Sequence, residues 1–105
     1  MLAAMEDGAD LSSLRAAVSA GETLPAPVYD EWMAKTGKPM LDGIGATELL
    51  HIFITNRFDD HAPSSTGRPV SGYEAKIIGQ DGSDLGAGEV GRLAVRGPTG
   101  CRYLR

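Results

Sequence analysis

The chain has 105 residues, ten of them basic and fourteen acidic, for a formal charge of −4. That length holds one modest core, and the acidic balance argues against a nucleic-acid surface, which needs clustered Lys and Arg. No apolar run approaches the ~20 residues of a membrane span, Met1 to Asp7 lacks the basic and apolar regions of a signal peptide, and the lone Cys101 permits no internal disulfide.

Met1 to Met5 read as the end of a helix, with Gly8 as its stop. Asp10 or Ser12 caps a short turn. Leu14 to Ser19 is a strand candidate, weakened by its alanines. Ser19 to Leu24 then leaves it as a loop. Pro25 to Thr36 is the clearest helix. Pro25 and Pro27 suit a first turn whose N–H groups lack helical partners. Asp30 and Glu31 lie early and Lys35 late, as the helix dipole favours. Val28 and Trp32, with Tyr29 and Met33 beside them, form an apolar face. Gly37 ends the helix. Pro39 opens a short strand, Met40-Leu41. Leu50 to Thr55 reads as a buried strand and Asn56 to Ser65 as a surface loop. Gly67 to Gly72 is a second punctuated stretch. Tyr73 to Gly79 alternates as a strand, with Tyr73, Ala75 and Ile77 on one face. Asp81-Gly82 marks a turn. Val90 to Arg96 is the last strand, ended by Gly97-Pro98. Thr99 to Arg105 carries no legible pattern. The rhythm is α/β passing to α+β, a βαβ start over 1–56 and a β-rich portion over 57–105, in one domain with no linker or repeat.

The most informative stretch is Asp42-Gly43-Ile44-Gly45-Ala46-Thr47-Glu48, followed by Leu49-Leu50-His51-Ile52-Phe53-Ile54. Gly43 and Gly45 allow close approach of backbone to a flat ligand, or φ values that other residues avoid. Thr47 can donate to a phosphate oxygen. Glu48 can hold a hard cation, which prefers oxygen ligands. A competing reading makes this a helix N-terminus, with Thr47 as cap and Glu48 favoured by the dipole. His51 on an apolar strand reads as a core histidine with a satisfied hydrogen bond, or as a ligand-facing side chain. A metal role for it is disfavoured, because His61 is the only other histidine.

This heptad resembles the Tyr-Gly-x-Thr-Glu motif of the adenylate-forming enzymes, with Ile44 in the aromatic position. The form Asp-Gly-Ile-Gly-x-Thr-Glu, followed by Leu-His-Ile-Phe, is similar to the benzoate-CoA ligase branch. Further blocks follow the family's order. Gly21-Glu22-Thr23 resembles its Gly-Glu-Pro block, with Thr23 in the proline position. Gly88 to Pro98 resembles its Gly-Glu-Leu-x-x-x-Gly block, a strand element. The run through Gly100-Cys101-Arg102-Tyr103-Leu104 is similar to the 2-aminobenzoate-CoA ligase variant.

The resemblance implies a part of the large N-terminal domain of an enzyme that activates an aromatic acid. Its substrates would be ATP, coenzyme A and benzoate or 2-aminobenzoate. Ala20, Gly21, Glu22 and Thr23 would border adenine and ribose. Asp42 and Gly43 would meet the adenine edge and Ile44 its face. Thr47 would contact the α-phosphate, and Glu48 would bind Mg²⁺; these two form the expected catalytic pair. Gly45, His51 and Ile52 would line the pocket for the aromatic ring. The family's lysine-ending phosphate loop, ribose-binding aspartate and mobile C-terminal domain are not among these residues. The chain is therefore expected to be an internal part of a longer enzyme and to be inactive alone. A reducing, cytoplasmic setting is expected. Two alternatives stay open: a relative acting on a fatty or amino acid, or a non-catalytic segment that dimerises or swaps an element through exposed strand edges.

Overall fold

The computed structural model describes residues 10–104, so the expected helix at Met1 to Met5 and its stop at Gly8 lie outside the described residues. Asp10 caps the first turn, accepting the Ser12 N–H at 3.0 Å. β1 is shorter than expected, Ala17–Ser19. The helix α1 spans Ala26–Thr36, with Pro25 as N-cap and Gly37 left-handed at φ 65 as C-cap. Gly37 donates its N–H to Met33 at 2.9 Å, and Thr36 Oγ1 returns to Trp32 O at 2.8 Å.

Two expectations for α1 need correction. Its first turn holds no acidic residue, because Asp30 and Glu31 fall in the second. The buried stripe is Tyr29 and Trp32, flanked by Met33, while Val28 stays 38% exposed. Residues three and four apart share a helix face, and Tyr29 with Trp32 and Met33 satisfies both spacings. Leu24, Tyr29, Trp32 and Met40 close a small core between helix and sheet, packed by Leu11, Ala17 and Met33.

β2 spans Met40–Gly45 and pairs parallel with β1, completing the βαβ unit. Four residues of the heptad, Asp42 to Gly45, are thus strand, extending the short one expected at Met40-Leu41. The pairing with β3, Ile52–Thr55, is antiparallel and explains Gly43. A Cβ there would stand 2.9 Å from Ile54 O. β4, Arg68–Pro69, adds to the other edge of β3, so the sheet order is β1-β2-β3-β4. A strand here was not expected. Gly67 permits it, with φ +88 against the Thr55 carbonyl.

The loop from Asn56 to Ser65 lies on the surface, as read, but Asn56 is 4% exposed and organises it. Its side chain donates to Asp42 O at 3.1 Å and to Ser65 O, and accepts the Ala62 N–H at 3.2 Å. Buried amides are kept only when so paired.

The second sheet is a hairpin of β5, Glu74–Ile78, and β6, Arg92–Arg96. Val90 is 97% exposed and lies outside β6, against expectation. Phe53, Ile54 and Tyr73 form a second core that joins hairpin to first sheet, with Ile44, Leu49, Ala75 and Val95 around it. This mixed sheet with one helix, followed by a hairpin, agrees with the expected α/β start passing to a β-rich portion.

Candidate functional site

Because β1 and β2 are parallel neighbours, their carboxyl ends lie on one edge of the sheet. Ligands gather there in such folds. The loop after β1 and the turn after β2 consequently come together, although about twenty-five residues separate them. Two adjoining hollows result. One, about 450 Å³, is lined by Ala20, Gly21, Gly45, Ala46, Thr47, Leu50, His51 and Ile52. The other, about 190 Å³, is lined by Gly21, Glu22, Thr23, Gly43, Ile44, Gly45 and Thr66. Gly21 and Gly45 belong to both.

Every residue expected at the nucleotide or acyl site touches one of these hollows except Asp42 and Glu48. Asp42 is 4% exposed and lies behind the wall. Its Oδ2 accepts the Leu24 N–H at 3.1 Å, which pins the loop after β1 onto β2. Its Oδ1 has no partner. A third hollow, over Glu74, Lys76, Ala94 and Arg96 on the hairpin, holds none of the expected residues.

Neither Gly43 nor Gly45 takes a positive φ. A Cβ on Gly45 would stand 3.1 Å from His51 O, at the register shift between β2 and β3. Its small size therefore serves the strand crossing and, at the same time, keeps both hollows open.

Thr47 to Leu49 form a single 3₁₀ turn. Its N-cap is Ala46, with no side-chain cap bond, which removes the reading of Thr47 as a cap. Leu50 follows in the left-handed region at φ 70, uncommon for a non-glycine residue and characteristic of functional turns. Thr47 and Glu48 are both exposed.

His51 corrects two expectations: it precedes β3 and is exposed. Its place is the rim of the larger hollow, where its Nδ1 bonds Ile52 O and its Nε2 meets Tyr73 Oη at 2.8 Å.

Glu48 accepts a hydrogen bond from Tyr103 Oη at 2.5 Å. That bond holds its carboxyl below the ordinary value of 4.5, and the ionised Glu48 in turn pushes the Tyr103 phenol up. An exposed, firmly ionised carboxylate beside the Thr47 hydroxyl fits a hard cation that keeps several waters and takes substrate phosphate oxygens. Among the described residues no group of three or more His, Cys, Asp or Glu could hold a metal unaided. Tyr103→Phe should return the Glu48 pKa upward toward 4.5, readable by carbon-13 titration of its carboxyl. Unchanged titration would show that Tyr103 does not hold Glu48 in solution.

A family described as AMP-binding enzyme matches residues 1–103. The chain belongs to that family. It is 47% identical over 87 residues to the benzoate–CoA ligase of Thauera aromatica, covering 82% of this chain and 16% of that one. It is 45% identical over 89 residues to the anthranilate–CoA ligase of Pseudomonas aeruginosa, covering 84% and 17%. A crystal structure of an anthranilate CoA ligase with anthranoyl-AMP superposes with TM-score 0.83 at 49% identity, over 87% of this chain and 18% of that one. The chain spans about a sixth of the length of the CoA ligases it matches.

Sequence reasoning missed Thr66, Tyr73, Thr99 and Tyr103. Tyr103 is 55 residues from Glu48, and Thr99 is 50 from Leu49, whose carbonyl it bonds. No local spacing could have paired them.

Proposed function

We propose that these residues form the adenine, phosphate and acyl-facing wall of an ATP-dependent aryl-CoA ligase. One observation carries the reading. Two separate loops, each expected to meet the same acyl-adenylate, line adjoining hollows that share Gly21 and Gly45. An acyl-adenylate also has two parts joined at one phosphate. The smaller hollow, between Glu22, Thr23 and Ile44, takes the adenosine end. Ile44 gives apolar contact without the quadrupole of an aromatic side chain. The larger, rimmed by His51 and floored by Ile52 and Gly45, takes the aromatic ring of benzoate or 2-aminobenzoate.

The reaction is attack of the carboxylate on the α-phosphorus of ATP, with pyrophosphate leaving. Coenzyme A then displaces AMP to give the thioester. Negative charge grows on the α-phosphate oxygens during the first step. Thr47, on the wall of the larger hollow, would donate a hydrogen bond to one of them. Glu48 would hold Mg²⁺, which would neutralise phosphate charge. Asp42 anchors the adenine-side loop through Leu24, and its free oxygen lies behind that wall.

The test is pyrophosphate release by the full-length protein carrying these residues, across benzoates, fatty acids and amino acids. Release that depends on benzoates supports the reading. Release with fatty or amino acids alone keeps adenylation and discards His51 as an aryl-pocket residue. No release with any acid overturns the enzymatic proposal. For the chain by itself, dimerisation or strand exchange remains a proposal resting only on its strand edges.

A further inference from the structure

We propose that Tyr73 and Thr99 are positioning residues that set the orientation of His51 and of the turn carrying Leu50. The inference rests on the reading of His51 as a wall of the acyl hollow. Tyr73 is 9% exposed and belongs to the second core, far from the heptad in sequence. Its ring stands edge-on to His51, at 5.4 Å between centroids and 89° between planes. Its hydroxyl reaches His51 Nε2 at 2.8 Å and Thr99 Oγ1 at 2.5 Å. Thr99 donates to Leu49 O at 2.6 Å. Ile52 O can only accept, so the proton of that bond sits on His51 Nδ1. Nε2 then accepts the one Tyr73 hydroxyl proton, and both edges of the imidazole are held. Thr99 Oγ1, its own proton on Leu49 O, only touches Tyr73 Oη.

The ring that does the holding is itself fixed. Gly97 lies flat against it; a Cβ there would stand 2.1 Å from Tyr73 Cδ1. Gly97 and Thr99 leave the end of β6, so the hairpin reaches the hollow through them. An exposed histidine on a short turn would otherwise sample several rotamers. Here a buried tyrosine chooses one. Leu49 O, fixed by Thr99, likewise braces the residue before left-handed Leu50. Neither Tyr73 nor Thr99 lines the hollow, so both act through residues that do.

The test uses Tyr73→Phe, which keeps the ring and its packing, and Thr99→Val with Thr99→Ser as the conservative partner. All are made in the full-length protein. Two readouts separate this proposal from the functional reading beneath it. The nitrogen-15 resonance of His51 Nε2 reports the hydrogen bond whatever the substrate. It should move in Tyr73→Phe. KM for the aromatic acid should rise roughly three- to tenfold in Tyr73→Phe and Thr99→Val, as expected for one lost hydrogen bond. KM for ATP should stay within about twofold. Thr99→Ser should restore the wild-type KM. An unmoved Nε2 resonance, or equal changes in both KM values, would overturn the proposal. If the wild type uses no aromatic acid, the functional reading fails, and the Nε2 resonance still decides the Tyr73 contact.

Discussion

Glu48→Gln should lower pyrophosphate release by about 100-fold or more while leaving the fold intact. The side chain is exposed, so its replacement opens no cavity and buries no charge. What the amide loses is the anionic oxygen pair that a magnesium ion prefers. The loss should fall on kcat and be only partly recovered by raised Mg²⁺. The pH profile adds a signed expectation. Tyr103 holds the Glu48 carboxyl below 4.5, so the folded pKa lies under the unfolded one. The charge, and the small stabilisation from that bond, are present above the unfolded value. Both are lost as pH falls through the lowered one. The acidic limb of a Glu48-dependent activity should therefore move upward in Tyr103→Phe. Full activity in Glu48→Gln would remove Glu48 from the mechanism and leave the heptad as strand structure.

Gly67→Ala should destabilise the protein by about 3 kcal/mol or more, because two costs coincide. The residue has φ +88, which an alanine adopts only with strain. The added Cβ would also lie 2.2 Å from Thr55 O and 2.4 Å from Asn56 N, which are backbone atoms of β3 and its exit. Backbone cannot rotate away as a side-chain tip can. Relief requires β4 to part from β3, or Asn56 to give up its bonds to Asp42 and Ser65. Gly82→Ala is the control. Its φ is +83, but nothing lies within 4 Å, so only the conformational cost of about 1 kcal/mol applies. Urea midpoints of the two variants in one background separate strain from collision. Equal losses would show that Gly67 is needed for its φ alone. Thr66 lines the smaller hollow next to Gly67, so the collision should also disturb the wall proposed for the adenosine end.

Patterns within a dozen residues of each other were legible in the amino-acid order. Pro25, Pro27 and Gly37 bracket α1, and they act through their own dihedrals and missing donors. The alternation at Tyr73, Ala75 and Ile77 marks β5. The Asp42 to Glu48 block, with Gly21-Glu22, carries the family resemblance because both blocks stand in the family's order along the chain. The parallel pairing of β1 and β2 then brought those two blocks to one sheet edge, where they line adjoining hollows. His51 shows where such reading stops. An apolar neighbourhood suggested a buried strand, yet the left-handed Leu50 turns the imidazole out to the rim. Asp42, expected at the adenine edge, is buried and ties down Leu24 through its carboxylate. Gly43 and Gly45 left unusual φ values open, yet neither takes one, and their small size lets two strands meet closely.

Sequence alone determined the family, the helix and the residues that gather at the sheet edge, since propensity and motif are local properties. Tertiary structure alone decided which side chains hold them. Tyr73, Thr99 and Tyr103 reach His51, Leu49 and Glu48 across 22 to 55 residues. A hydrogen bond has no sequence range; it forms wherever the packing of Gly97 on Tyr73 and of the hairpin on the first sheet brings donor to acceptor.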